Sequence, residues 1–432
     1  MRTQRTPGGL GPVGRLAVLA RLAIRNLIRE GRRSLLTSSA MVVGLGLLIL
    51  SRSLADGAHE DWIYMGVRLG TGHVALQAPG YQESGQFRHR LDSTEVATAL
   101  QAIADPSVEP SVQLTAPRLS VQGLAASAAS ALPVMVEGVD PEVEARFSVL
   151  PERLEEGRYL EASDRQAAFV GRGLATRLGL RIGSRFVVTA QGADGEIEGQ
   201  LLRVVGIFRF GVTELEEGVI HIPIETARSW LAAPGEATTL ALLLASSREV
   251  EPVVDRLGGT LEGTEVRALS WREASPELDS AVRMDDYGDY LFHAILLAIV
   301  ALAILNAVLM SVLNRRREFA VLRALGLEGR ATGTLVYLEG VLLTLASGAV
   351  GILVGLGVTW FFFRDGLDLS SLMDGDITFS GIVMDPVMVP EFRAAQIVQS
   401  LLFTLLIGTT ASLYPAVHAA RLEVAESLKF ET

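Results

Sequence analysis

Six histidines, one lysine and no cysteine set the range of chemistry open to this 432-residue chain. Without cysteine there is no disulfide, no thiolate nucleophile and no Cys-ligated zinc or iron–sulfur cluster. Lys429, in Ser427-Leu428-Lys429-Phe430, is the only lysine. A phosphate-binding P-loop needs a lysine directly after its glycines to reach the phosphates, so the chain carries no such loop and is not expected to hydrolyse ATP itself. The histidines are scattered, and none falls in an HExxH pattern. Gly171-x-Gly173-x-x-Thr176 departs from the dinucleotide fingerprint at its third glycine. Asp285, Asp286 and Asp289 form a short acidic run, as do Glu214, Glu216 and Glu217. Both read as solvated faces rather than cation sites. The expectation is a chain with no catalytic residues, no metal ligands and no cofactor of its own.

What the composition offers instead is membrane. The chain is 49% hydrophobic and 20% charged, with mean hydropathy +0.35. That is high for a soluble protein and low for one made only of spans, so a mixture is expected. Four stretches are apolar and nearly uncharged: Ser34–Ser51, Tyr290–Leu313, Thr332–Phe363 (which holds only Glu339) and Ala394–Val417. Each supplies the ~20 residues that cross ~30 Å of hydrocarbon as a helix.

Arginine sets the direction. Arg15, Arg21, Arg25, Arg29, Arg32 and Arg33 precede the first span; Arg315, Arg316, Arg317, Arg323 and Arg330 lie between the second and third. The opposite flanks hold only Arg52, Arg68, Arg272, Arg283, Arg364 and Arg393. The positive-inside bias therefore puts both termini in the cytoplasm. The expected order is a cytoplasmic arm over 1–33, spans at 34–56, 290–313, 332–363 and 394–416, an outer domain over 57–289, a cytoplasmic loop over 314–331, an outer loop over 364–393 and a cytoplasmic tail over 417–432. Residues 56–290 carry 36 acids against 20 arginines, a net of −16. Arg32-Arg33-Ser34-Leu35-Leu36 resembles a twin-arginine signal, but three further spans follow, which disfavours a cleaved leader.

Residues 15–32 read as an amphipathic helix. Arg21, Arg25, Arg29 and Arg32 share one face, and Leu16, Leu19, Ala23, Ile24 and Leu27 the other. Such a helix suits the headgroup layer or a partner's surface. In the outer domain, strands are expected at Pro133–Val139, Ala167–Gly171, Arg185–Ala190, Leu201–Phe210 and Leu240–Leu244, with a loop tip at Ala125–Ala131 and helices at Leu174–Leu180 and Arg248–Leu257. Both ends of that domain read as helical stalks. Gly351-x-x-x-Gly355 in the third span is a helix close-packing motif.

One segment carries a family signature. Arg315-Arg316-Arg317-Glu318-Phe319-Ala320-Val321-Leu322-Arg323-Ala324-Leu325-Gly326 resembles the coupling helix of MacB/FtsX-like ABC permeases. Leu22-Ala23-Ile24-Arg25-Asn26-Leu27, Glu339-Gly340, Tyr414-Pro415-Ala416 with Ala419-Ala420-Arg421-Leu422, and Glu137-Gly138-Val139-Asp140-Pro141 with Glu156-Gly157-Arg158-Tyr159-Leu160 resemble further parts of that family. Gly72-His73-Val74 with Gly80-Tyr81 leans toward its lipoprotein-release (LolC/LolE-type) branch. The loop 364–393 is longer than the family pattern, and Ala320 stands where a glycine is more usual.

The resemblance implies an α-helical membrane protein with four transmembrane helices and an α+β extracytoplasmic domain of the MacB periplasmic core type. It implies a bacterial inner-membrane location and a separate cytoplasmic ATPase that holds the ATP and magnesium. It also implies a second permease, identical or not, and contact with membrane lipid. Arg316, Arg317, Glu318, Phe319, Val321, Leu322, Arg323, Ala324, Leu325 and Gly326 are expected to meet the ATPase. The function implied is release or export of a lipidated or amphipathic substrate, a lipoprotein among them. The alternatives are regulation of a periplasmic cell-wall hydrolase and efflux with a periplasmic adaptor. Nucleic acid is not expected as a partner. Leu54, Trp62, Ile63 and Met65 on the first stalk, with Met284, Tyr287 and Leu291 on the second, are the candidate lining of a substrate cleft; the alternative is that they only pack the stalks together.

The orientation is testable because the chain has no native cysteine. Single cysteines at Gly192 and Asp374 should react with an impermeant maleimide in spheroplasts, and one at Gly329 should not. Labelling at Gly329 before lysis would overturn the orientation.

Overall fold

The structure is a computed structural model, and it describes residues 12–29, 31–128, 130–368 and 387–421, with short strand pieces at 377–379 and 382–384. Asp374 and eleven other residues of the 364–393 loop lie outside the described residues. The chain forms two compact units.

The first unit is helical. An arm, Pro12–Arg29, precedes four long helices, Gly31–Leu69, Pro276–Asn314, Gly329–Phe363 and Ala394–Ala420, of which residues 59–69 and 276–284 belong to the second unit. All four are long and apolar enough to cross a membrane. The first two run well past the hydrocarbon, since 39 residues at ~1.5 Å each exceed any bilayer core. Their apolar stretches are followed or preceded by charged helix without a break.

The third span packs against the first through its small residues. A Cβ at Gly351 would stand 3.0 Å from Leu45 Cβ, and one at Gly355 would stand 2.9 Å from Ile49 Cβ and 3.0 Å from the Gly46 carbonyl oxygen. Apolar side chains gain nothing by leaving lipid for protein, so association in a bilayer rests on such close backbone approach. On the second span, Val300, Ile304, Val308 and Val312 recur every four residues and join Met41, Leu335, Val336, Ala416 and Ala419 in one core.

The second unit is an α+β domain built on one continuous strand path. Its first half stacks Arg267–Ser270, Val74–Gln77, Thr239–Leu244 and the start of the long strand Val112–Ala126, all antiparallel. Helices Ser93–Ile103 and Val250–Thr260 cover it. The first begins in a capping box. The Asp92 carboxylate accepts from the Thr94 and Glu95 N–H groups at 2.8 Å, and Glu95 accepts from the Asp92 N–H at 2.8 Å. His73 is buried, and its Nδ1 accepts from the Leu244 N–H at 3.2 Å. Burial holds its pKa at about 4, against the smaller opposing pull of Glu60. It is a neutral acceptor inside the fold.

The second half is a closed ring of six strands. From Val112–Ala126 the pairing runs to Ala131–Val139, Val219–Pro223, Ala167–Gly171, Ile197–Phe208, Arg185–Gln191 and back to Val112–Ala126. Closure leaves these strands without free edges. Phe186, Val188, Leu202, Val204, Val134 and Val136 point inward and fill it. The tip expected at Ala125–Ala131 is a tighter hairpin, since pairing continues to Ala126↔Ala131.

Arg118 sits where the long strand passes from one half to the other. It pairs with Thr239 in the first half and with Val139 in the second. Its buried guanidinium is held by Glu144 at 2.6 Å and by the Gly70 carbonyl oxygen. Nearby, burial would push the Glu137 carboxyl up, but the hydrogen bond from His221 and the Arg118 charge outweigh it and hold it below the usual carboxylate range.

Candidate functional site

The short helix Arg316–Ala324 follows the second span after a one-residue break at Arg315 and precedes the third. At ~100° per residue its nine positions divide into two faces. Phe319 and Ala320 are buried, whereas Val321, Leu322 and Leu325 are exposed, Leu325 at 80%. Arg316, Arg317, Glu318, Ala324 and Gly326 are also exposed, and Arg323 is half-buried. Of the residues expected to meet an ATPase, Phe319 is therefore corrected. Its ring belongs to the core formed with Val312, Leu335 and Val336, and it anchors the helix from beneath. Gly326 ends the helix at φ +101°, a conformation that L side chains rarely adopt. There the Leu327 N–H reaches back to the Leu322 carbonyl at 3.0 Å.

Beneath the helix lies a buried polar junction. Arg315 Nη1 donates to both oxygens of Glu339, at 2.9 and 2.8 Å. Its Nε donates to Glu318 at 2.9 Å, and its guanidinium lies 5.1 Å from the Phe319 ring centroid. Asn26 Nδ2, on the N-terminal arm, donates to Glu339 Oε1 at 2.7 Å. Three elements distant in sequence thus meet at the one acid of the third span. A lone carboxylate there would be costly; matched by a guanidinium and an amide it is satisfied. The sequence marks Glu339 as an anomaly in an apolar run. Its partners, 24 and 313 residues away, are not visible there.

The arm docks through a narrower stripe than expected. Leu19, Ala23 and Asn26, at i, i+4 and i+7, face the helical core. Ile24, expected on that face, is 48% exposed. The side chains of Leu16, Leu27, Arg29 and Arg32 lie outside the described ones.

The expected cleft separates into two kinds of residue. Trp62 and Ile63 are buried in the α+β domain's core with Val67, Leu278 and Val282. That is a correction: they pack the domain and offer no surface to a substrate. Met65 is partly buried against the apolar cluster that contains Val139 and Phe169, and Leu54 is half-buried. Met284, Tyr287 and Leu291 are exposed, Tyr287 at 74%. Ile295, Ile299 and Leu302 continue their stripe.

The site's likeness to known proteins follows its parts. Residues 34–259 match the MacB-like periplasmic core domain, and residues 290–424 match the FtsX-like permease C-terminal domain. The first match alone spans more than half of the chain. The chain is an ABC transporter permease of the MacB/FtsX type.

The permease is 23% identical over 305 residues to the lipoprotein-releasing system transmembrane protein LolC of Xylella fastidiosa, covering 69% of this chain and 73% of LolC. It is 24% identical to the uncharacterized ABC transporter permease YvrN of Bacillus subtilis, covering 95% of this chain and 99% of that one. Among solved structures, the periplasmic region of MacB from Actinobacillus actinomycetemcomitans matches 47% of this chain and 90% of its own. Its TM-score is 0.33 and its sequence identity 13%.

The junction yields a double-variant test. Glu339→Gln removes the buried counter-charge of Arg315 and leaves it the exposed Glu318, and breaking one side of a buried pair costs up to about 3–5 kcal/mol. The full-length permease in nanodiscs should unfold at clearly lower temperature. Arg315→Met in the same chain removes the buried charge that Glu339 no longer balances and should restore most of that stability. If Glu339→Gln melts like the parent, the pair does not hold the junction.

Proposed function

We propose that this permease converts the motion of a separate cytoplasmic ATPase into a change in its extracytoplasmic domain, and that it handles a lipidated or amphipathic substrate. The observation that carries the first part is the short helix Arg316–Ala324. It is fixed at its base by Arg315, Glu339 and Asn26 and turns Val321, Leu322 and Leu325 outward. A helix held to two spans and an arm can pass a push to them without slipping, while its outer face is apolar and rimmed by Arg316 and Arg317. Both suit docking on a partner subunit. In this reading both termini are cytoplasmic, the chain sits in a bacterial inner membrane, and it works beside a second permease. It contributes no catalytic residue or cofactor, and the ATP and magnesium belong to the ATPase.

The substrate class rests on two supports. Relatives include a lipoprotein-releasing system protein, and the second span exposes a continuous apolar stripe from Met284 through Leu302. An acyl chain contributes ~0.8 kcal/mol per buried methylene, so its extraction needs such a surface at the membrane boundary. The burial of Trp62 and Ile63 confines the proposed contact to the second stalk.

Two outcomes are expected. Leu322→Asp should abolish copurification of the ATPase or its stimulated turnover, because it places an unpaired charge in an apolar contact. The permease itself should still insert, since Leu322 packs outward; unchanged copurification and turnover would refute the docking role. A photo-crosslinker at Tyr287 should capture lipid or acylated protein and lose it on ATP addition. Capture of only a neighbouring permease in every nucleotide state would sink the cargo reading and favour regulation of a partner enzyme.

A further inference from the structure

The six-stranded ring turns one face outward that breaks two rules of a soluble surface. Across four neighbouring strands the pairing registers align the outward positions in rows. One row holds Pro133, Leu124, Thr189 and Gly199, and the next holds Ala131, Ala126, Val187 and Leu201. Leu124, Val187, Leu201 and Ile197 are all exposed, Ile197 at 71%. An open groove of about 570 Å³ runs along Leu124, Pro133, Met135 and Ile197. This is a large apolar patch on the outside of a β domain.

The charges are as unusual. The patch ends at Arg185 and Arg203, which stand directly opposite each other on adjacent strands. Like charges in that position destabilise a sheet. Among the described residues neither arginine makes an ion pair, although residues 56–290 carry a net charge of −16. No acid occupies the aligned rows, and Asp164, which lines the depression beside Arg185, Leu201 and Arg203, is held by both terminal nitrogens of Arg158 at 2.8 Å. Glu137, next along the face beyond Met135, is engaged by His221 at 3.4 Å.

We propose that this face binds an acidic amphipathic segment of a separate soluble protein. Its apolar side would cover Leu124, Val187, Leu201 and Ile197, and its carboxylates would neutralise Arg185 and Arg203. The arginines then gain the counter-charge that their own chain withholds, through bidentate geometry suited to carboxylates. A second copy of this chain fits poorly, because a two-fold contact repeats the same surface on both sides and offers Arg185 and Arg203 no carboxylate beyond Asp164 and Glu137, which Arg158 and His221 already engage. A free acyl chain fits poorly too, since the groove is open and would leave most of the chain in water. The proposal is independent of the ATPase and cargo readings above.

The test uses the full-length permease in nanodiscs and three labelled 18-residue amphipathic peptides. They share one apolar face and carry an acidic, neutral or basic polar face. The acidic peptide should bind at least tenfold more tightly than the basic one, lose affinity with added salt, and crosslink to benzoylphenylalanine at Leu201. In Arg185→Glu/Arg203→Glu the preference should invert toward the basic peptide, a gain that misfolding cannot produce. Equal binding of the three peptides, no measurable binding, or a preference unchanged by charge reversal would overturn the proposal. Crosslinks from Leu201 only to lipid or to a second permease would do the same.

Discussion

A carboxylate and a guanidinium, Glu339 and Arg315, hold together the helical part of this permease where it matters most. Neither charge is tolerable alone in a buried, apolar setting. Their mutual need fixes the start of the third span to the end of the second, and Asn26 adds the N-terminal arm to the same point. The short helix that follows Arg315 therefore starts from a fixed base. Phe319 presses into the core below it, and the remaining apolar side chains have no place in that core and face outward. The ion pair thus fixes the base of the helix, and the burial of Phe319 sets which of its apolar residues stay exposed.

The same logic recurs in the α+β domain. Arg118 stands at the crossing of its two halves and is buried against Glu144, with Glu137 and His221 close by. Arg68, near the end of the 39-residue first helix, donates to the Phe147 carbonyl at 2.9 Å and pairs with Glu152 at 2.6 Å. The stalk's end is thereby tied to the connector 147–152 that leads into the ring. Buried charges at such junctions add little net stability but tolerate few alternative partners. They fix which elements meet, whereas the apolar clusters on either side supply most of the driving force.

Reading the chain as a sequence recovers a great deal of this. The spans are visible because ~20 apolar residues in a row have few other uses. Strand Ala167–Gly171 is seen end to end, and Arg185–Gln191 and Thr239–Leu244 to within a residue. The helix Ser93–Ile103 announces itself only by the Asp92 and Glu95 of its capping box. The long strand Val112–Ala126 was not readable, because it changes neighbours midway and its exposure pattern changes with them. Trp62 and Ile63 look like an exposed pair on a stalk until the domain closes over them.

What the sequence determined alone is local and compositional: four spans, a short amphipathic helix with its terminal glycine between the second and third, a mixed α+β domain and the absence of a P-loop. These follow from hydrophobic runs, short-range periodicity and missing residue types, all of which a linear chain displays. Tertiary structure decided the rest. It chose Arg315 for Glu339 among several nearby arginines. It closed six strands into a ring and sorted Phe319 inward from Leu322 outward. It also set Arg185 opposite Arg203 on an apolar face. Each of these depends on which groups come within a few ångströms after folding, and buried charge and strand register are settled only there.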